Sequence, residues 1–474
     1  MNNKHIIKVL CAVVMFVGIT FTAQAQVERT GYFLKGNSYG HRLNPSFQPK
    51  RSYLSVPVVG NTSFGVSSNI EITDFVYPSG DNLVTFMHPD IDAKEFVGNL
   101  SKNNKMNMNV NATPLSLGFY AFGGFNTIDI GIHANAGFCV PRDFFGLFKD
   151  MSAEKYVLNN IGFRTRNYAD IAIGHSHKIN NNLTIGARLK LLVGLAYAEI
   201  AMDKMELSVS DKQWQINAKG SAVANVIGSE FTYDENGIIS GIGSFVPELS
   251  NLGFGVDLGA TYDFSKVLTK GLILSASLND INFIKWNNAA QTGISPSKPY
   301  TFEGFSELSF DGGENSVEQQ LTTMGEELGE FFAVDKMTPD DYTDFWGATL
   351  NIGIEYKMPF YSKLSVGALF TQRFETAYSY TVGSLMLNFS PLYFLDLAAS
   401  ASVSTYGYSY GAMLNINLPG FSIFAGADLY AGKYGMMSLS KAEGLLDEVN
   451  LYFPLNKFNA NAMLGINIPL GKKH

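Results

Sequence analysis

Few residues in this chain have the types and spacing that chemistry demands. Gly36-Asn37-Ser38-Tyr39-Gly40 matches the spacing of a nucleophile elbow, which presents a serine on a strand-to-helix turn. The prolines that follow, Pro45 and Pro49, break both helix and central strand, so the flanking elements of that motif are not expected. His175 and His177 stand two apart, on one face of a strand, where a pair could hold a metal; no carboxylate or thiol stands beside them. Cys139 lacks a cationic neighbour in sequence that would favour its thiolate, and reads as a bland thiol facing inward. No phosphate-cradling glycine loop, metal cluster or Ser/His/Asp set emerges. The expectation is a chain that is not an enzyme and uses no cofactor.

A second group of residues is more informative. Arg188, Lys190, Asp257, Glu355, Lys357, Arg373, Glu375, Asp396 and Asp428 each interrupt an apolar run on its polar phase. Charges placed this way make little sense in a soluble sandwich and good sense if that face borders a lumen. There they either pair across the interior as structure or line a selective passage.

The elements that must position them are strands. From Trp346 every second residue is apolar: Ala348, Leu350, Ile352, Ile354, Tyr356. Because side chains alternate across a strand, this makes one greasy face and one polar face. After a turn near Pro359 the pattern resumes with Leu364, Val366, Ala368 and Phe370. Each run is about 10 residues, the length a tilted strand needs to cross a bilayer. Trp346 and Tyr356 close the two ends of one stripe, and Tyr197 ends the stripe that begins at Leu183, as interfacial aromatics would. Similar runs recur at 53–66, 107–119, 128–140, 183–197, 252–262, 272–278, 393–429 and 458–470, with a bulge expected at Pro114 where the phase flips. Uniform strand texture argues for one closed antiparallel sheet, an all-β transmembrane barrel.

Composition agrees. The chain has 46 Gly, 36 Phe and 23 Tyr, only 16% charged residues and a formal charge of −8, which excludes a basic nucleic-acid binder. Residues 1–25 read as a cleaved secretory signal: Lys4 and Lys8, an apolar run from Val9 to Thr22, then Ala23-Gln24-Ala25. Its loss removes Cys11 and leaves Cys139 without a disulfide partner. Residues 26–52 are irregular and aromatic-rich, and are expected to pack against something. A short helix is expected over Asp92 to Leu100. Residues 311–345 are acidic, with an amphipathic stripe at Met324, Leu328, Phe331 and Phe332, and form a long loop that is either solvated surface or a place for a protein partner.

Asn44-Pro45-Ser46-Phe47-Gln48-Pro49, the run from Leu54 to Asn61 and the run from Asp280 to Trp286 resemble an uncharacterised outer-membrane barrel family of Bacteroides-type Gram-negative bacteria. That family is distantly similar to FadL-type fatty-acid channels and to type IX secretion barrels, and the resemblance covers nearly the whole mature chain. It implies a barrel of about 14 strands (roughly 12 to 18) at residues 53–474 in the outer membrane. It also implies an N-terminal hatch inside that barrel, carried here on the plug turn Asn44 and Pro45. The C-terminal Leu470-Gly471-Lys472-Lys473-His474 departs from the terminal aromatic of common barrel-assembly signals. The function expected is a passive channel for small, including hydrophobic, molecules, in contact with outer-membrane lipid. The alternative is a non-catalytic scaffold or surface-assembly protein acting through its loops.

Overall fold

A computed structural model describes residues 29–471, apart from 35, 58–59, 80–81, 150–154, 211–212, 235–236, 238, 295–336, 430–433, 440–448 and 455–456. The signal segment and most of the acidic 311–345 segment therefore lie outside the described residues; Met337 onward belongs to the wall.

Alternation of β-branched, aromatic and small residues folds nearly the whole chain into one antiparallel sheet that closes on itself as a barrel of 14 strands. Its segments are β1 (Ser52–Ser55), β2 (Thr62–Ser68), β3 (Asn103–Ala121), β4 (Gly124–Pro141), β5 (Ile161–Lys178), β6 (Leu183–Ser210), β7 (Gln213–Val226), β8 (Leu252–Asp263) and β9 (Leu272–Ile294). They continue as β10 (Thr338–Trp346), β11 (Thr349–Lys357), β12 (Leu364–Arg373), β13 (Tyr380–Leu392), β14 (Leu395–Ser404), β15 (Gly407–Asn417), β16 (Ser422–Leu429) and β17 (Phe458–Leu470). Three wall positions are shared by two segments each: β1 with β2, β7 with β8, and β10 with β11. Closure runs through β17, which pairs with β16 on one side and with β1 and β2 on the other.

The two ends differ. Connections at the end where β1 meets Leu470 are short, such as the turn at Phe122-Gly123, where positive φ angles of 55° and 74° suit a tight reversal. Several connections at the opposite end are long, although β14 and β15 meet across Thr405-Tyr406 alone. The long ones include the helix Ala93–Asn99, whose first turn is capped by the Asp92 carboxylate accepting from the Glu95 amide at 2.8 Å. On that side β6 and β9 rise well above their neighbours, carrying β7 and β10 as an extension of the wall. The register of β3 against β4 shifts between Ala112 and Leu115, as the Pro114 phase change predicts.

Outward faces carry Ile132, Ile173, Leu189, Phe254, Ile352, Leu385, Val403 and Leu464, all exposed, while the intervening residues are buried or partly buried. A continuous apolar belt of this extent is incompatible with water and fits hydrocarbon. Rings bound the belt at both ends: Phe122, Phe360, Tyr393 and Phe421 near the short turns, and Phe345, Phe374, Tyr408 and Tyr410 toward the long loops.

Two of the three interfacial aromatics expected from sequence are elsewhere. Tyr197 and Trp346 are 2% and 5% exposed and point into the barrel. In β6, Leu195 is skipped in the pairing with β5, where Gly194 faces Tyr168 and Ala196 faces Asn167, so the phase reverses before Tyr197. Between β10 and β11 the ladder breaks at Gly347 and Ala348, so Phe345 faces out while Trp346 shares the inner side with Asn351 and Glu355. Tyr356 keeps the outward phase of Ile352 and Ile354 near the short-turn end.

Candidate functional site

Residues 29–50 lie inside the wall. Their prolines and glycines keep them out of the sheet, and their short helix Gly40–Leu43 ends at Asn44 in extended backbone ahead of Pro45. Asn44 is fully buried, and it organises the turn. Its amide donates to the Ala276 carbonyl (3.2 Å) and the Tyr32 hydroxyl (3.3 Å), and its Oδ1 accepts from the amide (3.0 Å) and hydroxyl (2.7 Å) of Ser46. The Leu43 carbonyl accepts from Ser277 and Asn279, both at 2.7 Å. Pro45 rests where the wall has no side chains: a Cβ at Gly186 would stand 2.1 Å from the Pro45 carbonyl oxygen, and one at Gly259 would stand 2.1 Å from Asn44 Oδ1.

Other contacts tie this segment around the circumference. His41 Nε2 meets Asp129 at 2.9 Å, Tyr39 donates to Asn467 at 2.9 Å, Arg42 to Thr113 at 2.6 Å and Thr30 to Asp428 at 2.5 Å. Tyr32, Phe33 and Phe47 stack edge to face at 4.9 and 5.0 Å. Each neutral hydrogen bond contributes only about 1 kcal/mol net, so the segment is held by many small contacts rather than by one lock.

The wall around it has two unlike halves. From β4 to β12 the inner face is ionic. Arg188 bridges Asp129 and Asp257, both at 2.8 Å; Lys190 bridges Asp257 (2.6 Å) and Asp280 (2.8 Å). Arg373 joins Asp280 (3.5 Å) to Glu375 (2.8 Å), which also receives Arg164 (2.6 Å) and Arg166 (2.9 Å). Arg166 then forks onto Asp344 at 2.5 and 2.9 Å and lies over the Trp346 ring at 4.2 Å. One unbroken chain of charge runs from Asp129, which meets His41 of the inner segment, to the long-loop end. From β13 through β17 and on to β3 the inner face is mostly amide and hydroxyl: Ser384, Ser400, Asn415, Asn459, Asn461, Ser67, Asn107 and Asn109.

Of the lumen residues expected from sequence, Arg188, Lys190, Asp257, Arg373 and Glu375 belong to the ionic chain. Glu355 is buried and accepts from Ser365 at 2.7 Å. Asp396 accepts from Ser390 (2.6 Å) and Asn417 (3.2 Å), and Asp428 from Thr30; these two stand in the neutral half. Lys357 is half-buried at the short-turn end, away from the chain. Sequence reasoning missed Asp129, Arg164, Arg166, Asp170, Asp280 and Asp344. The spacing Arg164, Arg166, Tyr168, Asp170 against Ile171 and Ile173 carried the signal for three of them. Asp280 sits at positive φ (60°) beside a register shift, which no alternation reveals.

The remaining candidates for chemistry separate. Ser38 is buried, and its carbonyl meets His41 Nδ1 at 3.1 Å. His175 is tied to Asn126 at 2.9 Å, and its ring is 5.7 Å from that of His177 on the outer wall. No cluster of three His, Cys, Asp or Glu able to hold a metal occurs among the described residues. Between the two halves, above Arg42 and Leu43, lies a polar cavity of about 270 Å³ that reaches Arg29, Arg164, His133 and Tyr378.

Residues 45–428 match the model of a family of unknown function, DUF5723, and the chain belongs to that family. No curated protein matches it. Among solved structures it is similar to the toluene transporter TodX of P. putida, with 11% identity over 91% of this chain and 93% of that one and a TM-score of 0.39. It is also similar to the toluene transporter TbuX of Ralstonia pickettii (8% identity, 91% and 94% covered, TM-score 0.40) and to a FadL homologue of Pseudomonas aeruginosa (12%, 94% and 98%, 0.38).

Proposed function

We propose that this member of the unknown-function family is an outer-membrane channel that passes small molecules passively, with residues 29–50 as its hatch and Asn44-Pro45 as the hinge turn. The observation that carries this reading is the combination of a lipid-compatible exterior with a polar cavity whose floor is a separate, hydrogen-bonded segment rather than wall. Besides the buried packing of Tyr32, Phe33, Leu34 and Tyr39 against the wall, the segment is tied by many small polar contacts that water can replace at little net cost, which favours a movable floor. The lining supports a polar solute in the lumen.

An apolar concavity of about 900 Å³ on the outer face of the wall supports a second cargo class. It is lined by Ala260, Ala276, Ile354, Phe370 and Leu385, and would hold a hydrophobic molecule at the lipid boundary instead. Liposome swelling with a neutral sugar, run beside uptake of a labelled fatty acid, separates the two. Gly186→Val pushes against Pro45 and costs about 1–3 kcal/mol of overpacking, so sugar permeation should rise in the folded variant. Sugar swelling and fatty-acid uptake both no greater than those of protein-free liposomes, for wild type and Gly186→Val alike, overturn the channel reading.

A further inference from the structure

Resting on that reading, we propose that the neutral half of the lumen carries a binding site for a small oxyanion, a carboxylate or a phosphate, centred on the Arg29 guanidinium. Arg29 is 8% exposed and lines the polar cavity, yet its Nη1 and Nη2 have no hydrogen-bond partner among the described residues. The other buried arginines do otherwise: Arg166 and Arg188 each hold two carboxylates. The Tyr380 ring lies under the Arg29 guanidinium at 5.7 Å and supports its charge without using its N–H groups. Asp428 is within electrostatic reach, but it is bonded to the Thr30 hydroxyl and forms no ion pair with Arg29. A buried guanidinium that borders a cavity and has no acceptor on either terminal nitrogen suits an oxyanion, which it can bind through two parallel N–H bonds. The same cavity is lined by the neutral amides of Asn109 and Asn135, and its carboxylates, Asp129, Asp170, Asp280 and Glu375, are already held by His41, Arg188, His133, Lys190 and Arg373.

The test uses the full-length mature protein in detergent, titrated calorimetrically with acetate and with inorganic phosphate at constant ionic strength. Wild type should bind at least one of the two, and which one binds identifies the head group. Arg29→Gln should weaken binding about tenfold or more, while Arg29→Lys, which keeps the charge and loses the fork, should fall between. Asn109→Asp places a negative charge in the same cavity and should weaken binding with Arg29 intact, which covers a failure of Arg29→Gln to fold. Absence of binding to wild type, or equal binding by wild type and both Arg29→Gln and Asn109→Asp, overturns the site. Neutral-sugar swelling and fatty-acid uptake are measured in parallel. Arg29-dependent binding without either removes the channel and keeps the site, and either one without binding does the reverse.

Discussion

The two halves of the lumen wall solve one problem in different ways. Between β4 and β12 nearly every inward charge touches an opposite one, and Asp129, Asp257, Arg166 and Arg188 are almost wholly buried. Between β13 and β3 the inward residues are mostly neutral amides and hydroxyls, with Asp396 and Asp428 the exceptions, and many are bonded to each other, as Ser67 is to Asn459 (2.8 Å) and Asn461 to Asn459 (2.7 Å). An ion pair out of water is stable only while both partners remain, because a stranded charge bears its full desolvation cost. An amide ladder degrades gently. The ionic half is therefore a rigid staple and the neutral half gives way more gently, while the inner segment bonds to both, to Ala276 and Asp129 on one side and to Asn467 and Asp428 on the other.

The largest effect that sharpens this contrast is Arg188→Ala. It leaves Asp129 with His41 alone and Asp257 with Lys190 alone, and should cost about 3–4 kcal/mol, against about 1 kcal/mol for Ser67→Ala in the neutral half. Denaturant unfolding in micelles, followed by the heat-modifiable mobility of the barrel, measures both; equal losses would break the distinction. Next comes Trp346→Ala. This ring packs against Tyr168 and under Arg166, so removing it should cost about 3 kcal/mol, whereas its neighbour Phe345, facing lipid, should tolerate alanine with a loss of less than about 1 kcal/mol. The reverse order would restore Trp346 to the membrane interface.

The smallest effect concerns the segment leaving the neutral half at the long-loop end. Burial, reinforced by Glu71, pushes the Asp74 carboxyl up to about 6. Its folded state therefore holds a proton that the unfolded chain releases in the ordinary carboxylate range. The stabilisation is complete below that range and is lost as pH rises through about 6. Asp74→Asn should flatten this slope in limited proteolysis of residues 69–102 between pH 4 and pH 7; an unchanged slope would assign it to another group.

The sequence alone determined a good deal. Period-two alternation showed that strands with one greasy face make up the chain, and the lengths of those runs showed that they span a membrane. Pro114 announced its bulge, and Asp92 its helix. The Asn-Pro turn showed that the first residues do not join the sheet. Five of the charges read as inward from their phase, Arg188, Lys190, Asp257, Arg373 and Glu375, meet in one chain.

What only the tertiary structure decided depends on register. A single skipped residue at Leu195 and a two-residue break at Gly347 and Ala348 reversed the phase and carried Tyr197 and Trp346 from the lipid boundary to the interior. Alternation is a local signal, blind to a bulge, because the extra residue is chosen by the neighbouring strand and not by its own side chain. Partners are equally hidden. Arg166 meets Asp344 only because a closed sheet brings distant strands face to face, and His41 meets Asp129 only because the inner segment lies within that sheet, so the division into ionic and neutral halves exists in the folded barrel alone.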